Sequence, residues 1–297
     1  MKILLLGKDG QVGRELQRTL LPFGEVLAFN RNQADLENLS ELNQLLQAQK
    51  PDLIVNAAAY TAVDKAETDQ AAAFRINAEA VAVIADYAFQ NNVLFVHYST
   101  DYVFDGQKSG AYVETDVTHP LGIYGLSKRM GEESIARSQC NTLIFRTSWV
   151  FSSHGNNFIK TILRLAKEKN SLNIVADQFG APTSAELIAD VTALAVAGYR
   201  SGILNSGIYH LTAQGDTNWH GFACHIVDRA KANGVTLQLD SSQIRPITTE
   251  EYPVPAKRPK NSRLDTTLLS SRLGLQLPDW TVHVNRAIDQ LTLSHLS

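Results

Sequence analysis

Through the first half of the chain, short apolar runs rich in branched residues alternate with segments whose apolar positions recur at helical spacing. Lys2–Leu6, Glu25–Phe29, Asp52–Ala58, Val93–Ser99 and Thr142–Ser148 are expected strands, and Val12–Leu21, Leu39–Gln49, Gln70–Asn91 and Tyr124–Ser138 are expected helices between them. Strands that alternate with helices over short connections pair in parallel through right-handed crossovers. The expected fold is therefore α/β, a doubly wound parallel sheet of Rossmann type, with ligands at the carboxyl ends of the strands.

After Ser148 the rhythm loosens. Helix Asn157–Lys169, strand Leu172–Ala176, the loop from Asp177 to Thr183, helix Ala185–Tyr199, strand Gly207–Leu211 and helix Trp219–Asn233 precede a Pro-rich stretch from Ile244 to Pro259. The expected division is a dinucleotide-binding domain over 1–150 and a smaller, mainly substrate-binding α/β part over 151–297, with later segments free to return to the first domain. No repeat or low-complexity tract interrupts the chain.

Glycines spaced G-x-x-G-x-x-G, at Gly7, Gly10 and Gly13, stand between the first strand and the first helix. There the first glycine permits a tight turn, the second lets backbone reach a pyrophosphate, and the third lets helix and strand pack closely. The helix start beyond them, at Gln11 and Val12, offers unpaired N–H groups and partial positive charge to that anion. About 20 residues on, where an acid would accept from an NAD ribose, the sequence has Asn30-Arg31. Arg31 suits the 2′-phosphate of NADPH and Asn30 a ribose hydroxyl, which leaves NADPH and NADH both open. Asp35 and Leu36 are candidates to line the adenine.

Tyr124 and Lys128 lie at i and i+4, on one helical face. A phenol with a reference pKa of about 10 needs a cation nearby to exchange its proton near neutrality. Ser99 or Thr100, at the end of a strand, places a hydroxyl for a substrate carbonyl. Asn56-Ala57-Ala58-Ala59-Tyr60-Thr61 ends another strand with small side chains that let a dinucleotide lie close.

Composition changes this picture little. The 297 residues are 44% hydrophobic and 19% charged, ordinary for a globular enzyme, and the net charge of -3 gives no basic face for nucleic acid. Cys140 and Cys224 match no disulfide or metal spacing, and the histidines show no H-x-x-H or H-E-x-x-H, so no catalytic metal is expected. Met1-Lys2 runs straight into an expected strand too short for a signal peptide or membrane span, and the expected location is the cytoplasm.

Taken together, the glycine turn, Asn-Ala-Ala-Ala, Tyr-Ser-Thr-Asp-Tyr-Val-Phe and Tyr-x-x-x-Lys resemble the extended short-chain dehydrogenase/reductases. Val63-Asp64-Lys65-Ala66-Glu67, Phe145 to Val150, Gly155-Asn156-Asn157-Phe158, Gln178 to Thr183 and Arg258 to Leu264 resemble, within that group, the dTDP-4-dehydrorhamnose reductase family. The resemblance spans nearly the whole chain. It implies a catalytic set of Thr100, Tyr124 and Lys128, with Gly10, Gln11, Val12, Asn30, Asp35, Leu36, Ala59, Tyr60, Thr61 and Tyr98 around the cofactor. It places Thr100, Asp101 and Trp149 against a nucleotide sugar. The implied activity is NAD(P)H-dependent reduction of the C4 keto group of dTDP-4-dehydro-L-rhamnose, for dTDP-rhamnose and cell-surface polysaccharide synthesis, with Lys128 lowering the Tyr124 pKa.

Arg258 and Arg263 are candidates for the substrate diphosphate. The resemblance also implies magnesium at a homodimer contact, through Glu15 and Glu186. Gln290 departs from that pattern, since a further acid is wanted there and Asp289 stands only beside it; Tyr60 also departs, standing where relatives often carry His. A sugar-nucleotide dehydratase would want Asp-Glu after the catalytic Thr, whereas this chain has Asp101-Tyr102. An epimerase, or a non-catalytic dinucleotide-binding subunit like the regulatory subunit of methionine adenosyltransferase, remains the alternative.

Overall fold

The computed structural model describes residues 1–293, so the last four residues of the expected 151–297 part lie outside the described residues. Six parallel strands form the central sheet: β1 (Lys2–Leu6), β2 (Glu25–Phe29), β3 (Leu53–Asn56), β4 (Leu94–Thr100), β5 (Thr142–Thr147) and β6 (Gly207–His210), in the spatial order β6-β5-β4-β3-β1-β2. The chain runs outward from β1 to β2 and then crosses to β3 on the other side of β1. That reversal opens a crevice beyond the carboxyl ends of β1 and β3.

Alternation along the strands builds a core on each face. Ile3 and Leu5 of β1, with Leu53, Val55, Val96, Leu143 and Phe145, pack on Leu16 of helix Gln11–Thr19, on Leu20 just past its end, and on Leu187, Ile188, Val191 and Val196 of helix Ala185–Arg200. Leu4, Leu6, Ile54, Phe95 and Ile144 face the other way, onto Leu42 and Leu46 of helix Leu39–Gln49 and Val81 and Ile84 of helix Ala80–Gln90. Each fully buried aliphatic side chain contributes about 1.5–3 kcal/mol.

The chain beyond Ser148 does not form one separate block. Helix Ala185–Arg200 covers the first helix, and β6 pairs with β5 in the central sheet. The remainder gathers around Phe151, Ile159, Ile162, Phe222, Ile226, Val284 and Ile288. The Pro-rich stretch also holds an unexpected strand, Ile244–Ile247, which pairs in parallel with Leu172–Val175 although it contains Pro246. Helices Thr267–Leu273 and Trp280–Leu293 complete the chain.

The expected helix Gln70–Asn91 is divided. Gln70–Phe74 and Ala80–Gln90 flank a widened π turn, Arg75–Glu79. Such turns re-aim side chains, and here the turn presents Asn77. Its amide donates to the Tyr60 carbonyl and to Ser127 Oγ, both at 3.0 Å, and accepts from Tyr60 N–H at 2.9 Å. The loop after β3 is thereby tied to helix Ile123–Ser138.

Candidate active site

The carboxyl ends of β1, β3, β4 and β5 open on a cleft of roughly 690 Å³. Gly7, Gly10, Gln11, Val12, Asn30, Arg31, Asp35, Leu36, Ala59, Thr61, Tyr98, Thr100, Asp101, Tyr124, Lys128 and Trp149 all line it, so most of the residues singled out in the sequence converge on one place. Gly13 and Tyr60 do not. A Cβ at Gly13 would lie 2.0 Å from the Gly7 carbonyl oxygen, so its requirement is contact between helix and turn. Tyr60 turns its hydroxyl to Asp69, at 3.1 Å.

Gly7 has φ +84°, and a Cβ there would meet Ala58 N at 2.6 Å; the glycine turn and the Ala57-Ala58-Ala59 segment touch backbone to backbone. Asn38, Asn157, Ser184 and Asn218 each cap a following helix with a side-chain oxygen, whereas Gly10 caps helix Gln11–Thr19 with none. The first amides of that helix therefore face the cleft unoccupied by a cap. The side-chain oxygens Asn30 Oδ1, Ser99 Oγ, Asp101 Oδ2 and Thr147 Oγ1 are buried without a hydrogen-bond partner, and all four residues line the cleft. Buried polar atoms ordinarily find partners. A polar, anionic ligand running from the glycine turn to β5 fits this lining.

Arg31 is paired with Glu37 and stands 3.8 Å from Asp35, so an anion at Arg31 would compete with two carboxylates. Gln11 accepts from Ser152 Oγ at 3.2 Å and from Asn157 Nδ2 at 3.1 Å, which hangs the Gly155-Asn156-Asn157 loop over the turn.

At the other end, Tyr124 leads helix Ile123–Ser138, its ring edge-on to Tyr102 at 5.5 Å. The expectation that Lys128 lowers the Tyr124 pKa does not hold in this geometry. Burial raises the phenol above its ordinary value; Thr100 works against that rise, and Asp101 and Tyr102 add to it. The Lys128 ammonium is aimed elsewhere, donating to the Tyr98 carbonyl at 2.6 Å and lying 3.2 Å from His97 Nε2. Burial pulls Lys128 down to about 8. Thr100 Oγ1 donates to Asp101 Oδ1 at 3.0 Å and accepts from Tyr102 N–H at 3.2 Å. Burial pushes the Asp101 carboxyl up to about 6.

Trp149 adopts φ +49°, a left-handed conformation that a bulky residue rarely takes. Its ring stacks on Trp219 with centroids 3.7 Å apart, and Trp219 Nε1 donates to Gln178 Oε1 at 3.2 Å. Arg258 reaches Asp64 at 2.7 Å and, at 3.4 Å, the hydroxyl of Tyr102, a residue of the cleft lining. Arg263 is committed to Asn261 Oδ1 and the Ser109 carbonyl, so it braces a loop and is not poised for a diphosphate.

Sequence reasoning missed Glu67, whose carboxylate accepts from Ile123 N–H at 2.9 Å and so caps the helix that carries Tyr124 and Lys128. It also missed Asn77, Thr147 and the buried His97. Glu67 and Asn77 act on residues more than 45 positions away, which no local pattern announces.

The magnesium expectation does not fit these residues. Among the described residues no group of three or more His, Cys, Asp or Glu side chains is placed to hold a metal. Glu186 lies against His283 at 3.6 Å and Arg286 at 3.3 Å, Glu15 lies 3.7 Å from Arg18, and Asp289 is held by Arg229 at 2.6 Å. Cations of the chain itself already meet these carboxylates.

A parallel sheet reversed at a glycine turn, with Thr100, Tyr124 and Lys128 lining the same crevice, defines a Rossmann-type reductase of the short-chain dehydrogenase/reductase class. Residues 1–293 match the family model described as RmlD substrate binding domain. The dTDP-4-dehydrorhamnose reductase of Burkholderia thailandensis is 50% identical over 295 residues, covering 98% of this chain and 99% of that protein. A crystal structure of a dTDP-4-dehydrorhamnose reductase from Clostridium acetobutylicum superposes with a TM-score of 0.90 at 34% identity, covering 98% of this chain and 99% of that one. A Bacillus anthracis dTDP-4-dehydrorhamnose reductase in complex with NADP gives 0.85 at 32% identity, with 99% of each chain covered. The chain belongs to the RmlD family, that of the dTDP-4-dehydrorhamnose reductases.

Proposed function

We infer that this protein is an NAD(P)H-dependent oxidoreductase that reduces the C4 keto group of dTDP-4-dehydro-L-rhamnose to dTDP-L-rhamnose, a precursor for cell-surface polysaccharide. The observation that carries the reading is the meeting of Thr100, Tyr124 and Lys128 with the glycine turn in one cleft, in a chain alike from end to end to reductases of that name. The partner is a small nucleotide sugar. No described helix is long and apolar enough to cross a membrane, and the reading places the work in the cytoplasm.

The turn at Gly7, Gly10, Gln11 and Val12 would hold the pyrophosphate on the free amides of the helix start. Asn30, Arg31, Asp35 and Leu36 would flank the adenosine end, and Ala59, Thr61 and Tyr98 the stretch toward Tyr124. When bound, the reduced dinucleotide supplies hydride. Thr100 orients the substrate carbonyl, and Tyr124 Oη gives its proton to the developing alkoxide, so that donors stand where charge appears. A phenol kept protonated by burial is suited to that donation. Lys128 supplies positive charge to the same cleft, and Asp101 and Trp149 would contact the sugar nucleotide. A dehydratase would need a second acid after Asp101, where this chain has Tyr102.

The test follows NAD(P)H absorbance with dTDP-4-dehydro-L-rhamnose. Tyr124→Phe should lower kcat by about 10²-fold or more, the range of general acid catalysis, while dinucleotide Kd stays near the wild-type value. Near-normal turnover by the variant would sink the assignment.

A further inference from the structure

Behind Lys128 lies a pair that the reaction as described does not use. Asn56 closes β3 and His97 is its register partner on β4. His97 is 0% exposed, Asn56 1% and Lys128 2%, so no solvent relaxes the contacts among them.

The hydrogen-bond directions in this file of three side chains conflict. Asn56 Oδ1 accepts from Ala58 N–H at 3.1 Å, which turns Asn56 Nδ2 toward His97 Nδ1, 3.4 Å away. An amide NH₂ only donates, so Nδ1 must accept and the ring proton belongs on Nε2. But Nε2 is the atom 3.2 Å from Lys128 Nζ, and an ammonium also only donates. While Lys128 is charged, one of the two contacts sets donor against donor. A neutral amine removes the conflict, because its lone pair accepts from Nε2–H. Protonating the imidazole offers no relief, since burial and the neighbouring Lys128 hold His97 well below its ordinary range.

Two other groups face Lys128. The Tyr98 carbonyl accepts one ammonium proton, and the Glu132 carboxylate, one turn further along the same helix and held by Arg146 in a two-pronged pair at 2.9 and 2.6 Å, favours the charged form, against the larger effect of burial. The uncharged Phe95 ring also lies beside His97, with centroids 5.7 Å apart.

We propose that Asn56 and His97 are positioning residues that set proton release by Lys128, the Asn56-held Nε2–H tautomer disfavouring the ammonium and accommodating the amine. Resting on the reductase reading, this sets the pH range over which Lys128 carries its charge in the cleft it lines with Tyr124. When Lys128 loses its proton the neutral amine accepts from His97 Nε2–H, and when it takes one up again that contact is lost.

Two measurements on the full-length protein test this. Nitrogen-15 NMR of His97 across the alkaline range should show the Nε2–H tautomer established as Lys128 loses its proton, and a Nδ1–H tautomer retained throughout would overturn the proposal. In pH profiles of kcat/KM, His97→Gln gives the ammonium an amide oxygen and Asn56→Asp gives Nδ1 an acceptor. Both should move the alkaline limb upward by about one pH unit, since each favours the charged form. Profiles that merely fall at every pH, with the limb unmoved, would indicate a structural role and overturn it. If Asn56→Asp does not fold, His97→Gln and the wild-type spectrum still decide. A wild-type protein that does not oxidise NAD(P)H with the sugar nucleotide refutes the reductase reading instead, and the NMR result stands apart from that.

Discussion

Asp101 is a carboxylic acid in a costly location. It is 2% exposed, one oxygen accepts from Thr100, and the other has no hydrogen-bond partner. Its pKa of about 6 against an ordinary 3.8 means that the folded protein binds a proton there that the unfolded chain has already lost. The penalty is absent below the unfolded pKa, grows as pH rises between the two values, and is complete above about 6. Asp101→Asn removes the charge, so urea unfolding should find the variant more stable than wild type at pH 7, by on the order of 1–3 kcal/mol. That gain should shrink toward pH 4; a gain independent of pH would show that the carboxylate is not the cause. The same variant should bind the sugar nucleotide less well, because an acceptor at the cleft becomes a donor. Of this site the sequence made the residue types legible. Their protonation states depend on burial and on groups such as Ser262, which approaches Asp101 from far along the chain and works against the rise.

At the scale of elements, the helix that carries Tyr124 and Lys128 is set by contacts at its start and along its inner face. Glu67 caps Ile123 from a segment that the sequence marked only as a family signature, and Asp64 in the same segment holds Arg258 and accepts from Ala256 N–H at 3.2 Å. Val63-Asp64-Lys65-Ala66-Glu67 is thus a clasp between the crevice, the helix and the Pro-rich loop. Glu67→Ala should cost about 1 kcal/mol in denaturant stability, as for a lost cap, and should lower kcat more than it alters dinucleotide Kd, since the cap sits beside Tyr124 and away from the glycine turn. Equal losses in kcat and cofactor affinity would place its role elsewhere. Strands β1 to β5 were legible because their apolar runs are bounded by turn residues. Ile244–Ile247 was not, because Pro246 argues against a strand anywhere but at an edge, and a sheet of two strands consists only of edges.

On the scale of the whole molecule, the boundary at residue 150 is a boundary in rhythm and not in packing. Helix Ala185–Arg200 covers Leu16 and Leu20, and β6 pairs with β5, so the first half takes part of its core and one sheet edge from the later sequence. Periodicity reports which face of an element is apolar but not which distant element covers it, and this return could only be left open in the sequence. The arrangement bears on folding. A fragment of residues 1–150 would expose Leu16, Leu20 and the outer edge of β5 to water, surfaces that are 0% exposed at both leucines in the complete chain. Full burial of those two side chains contributes about 3–6 kcal/mol, and losing the part of it that the later helix supplies is a sizeable loss against the small net stability of an ordinary domain. The fragment should therefore lack a cooperative urea transition and bind a hydrophobic dye, whereas the complete chain unfolds in a sharp transition. A fragment that unfolds cooperatively and still binds dinucleotide would show that the first half is autonomous, with the later helix and strand only resting on it.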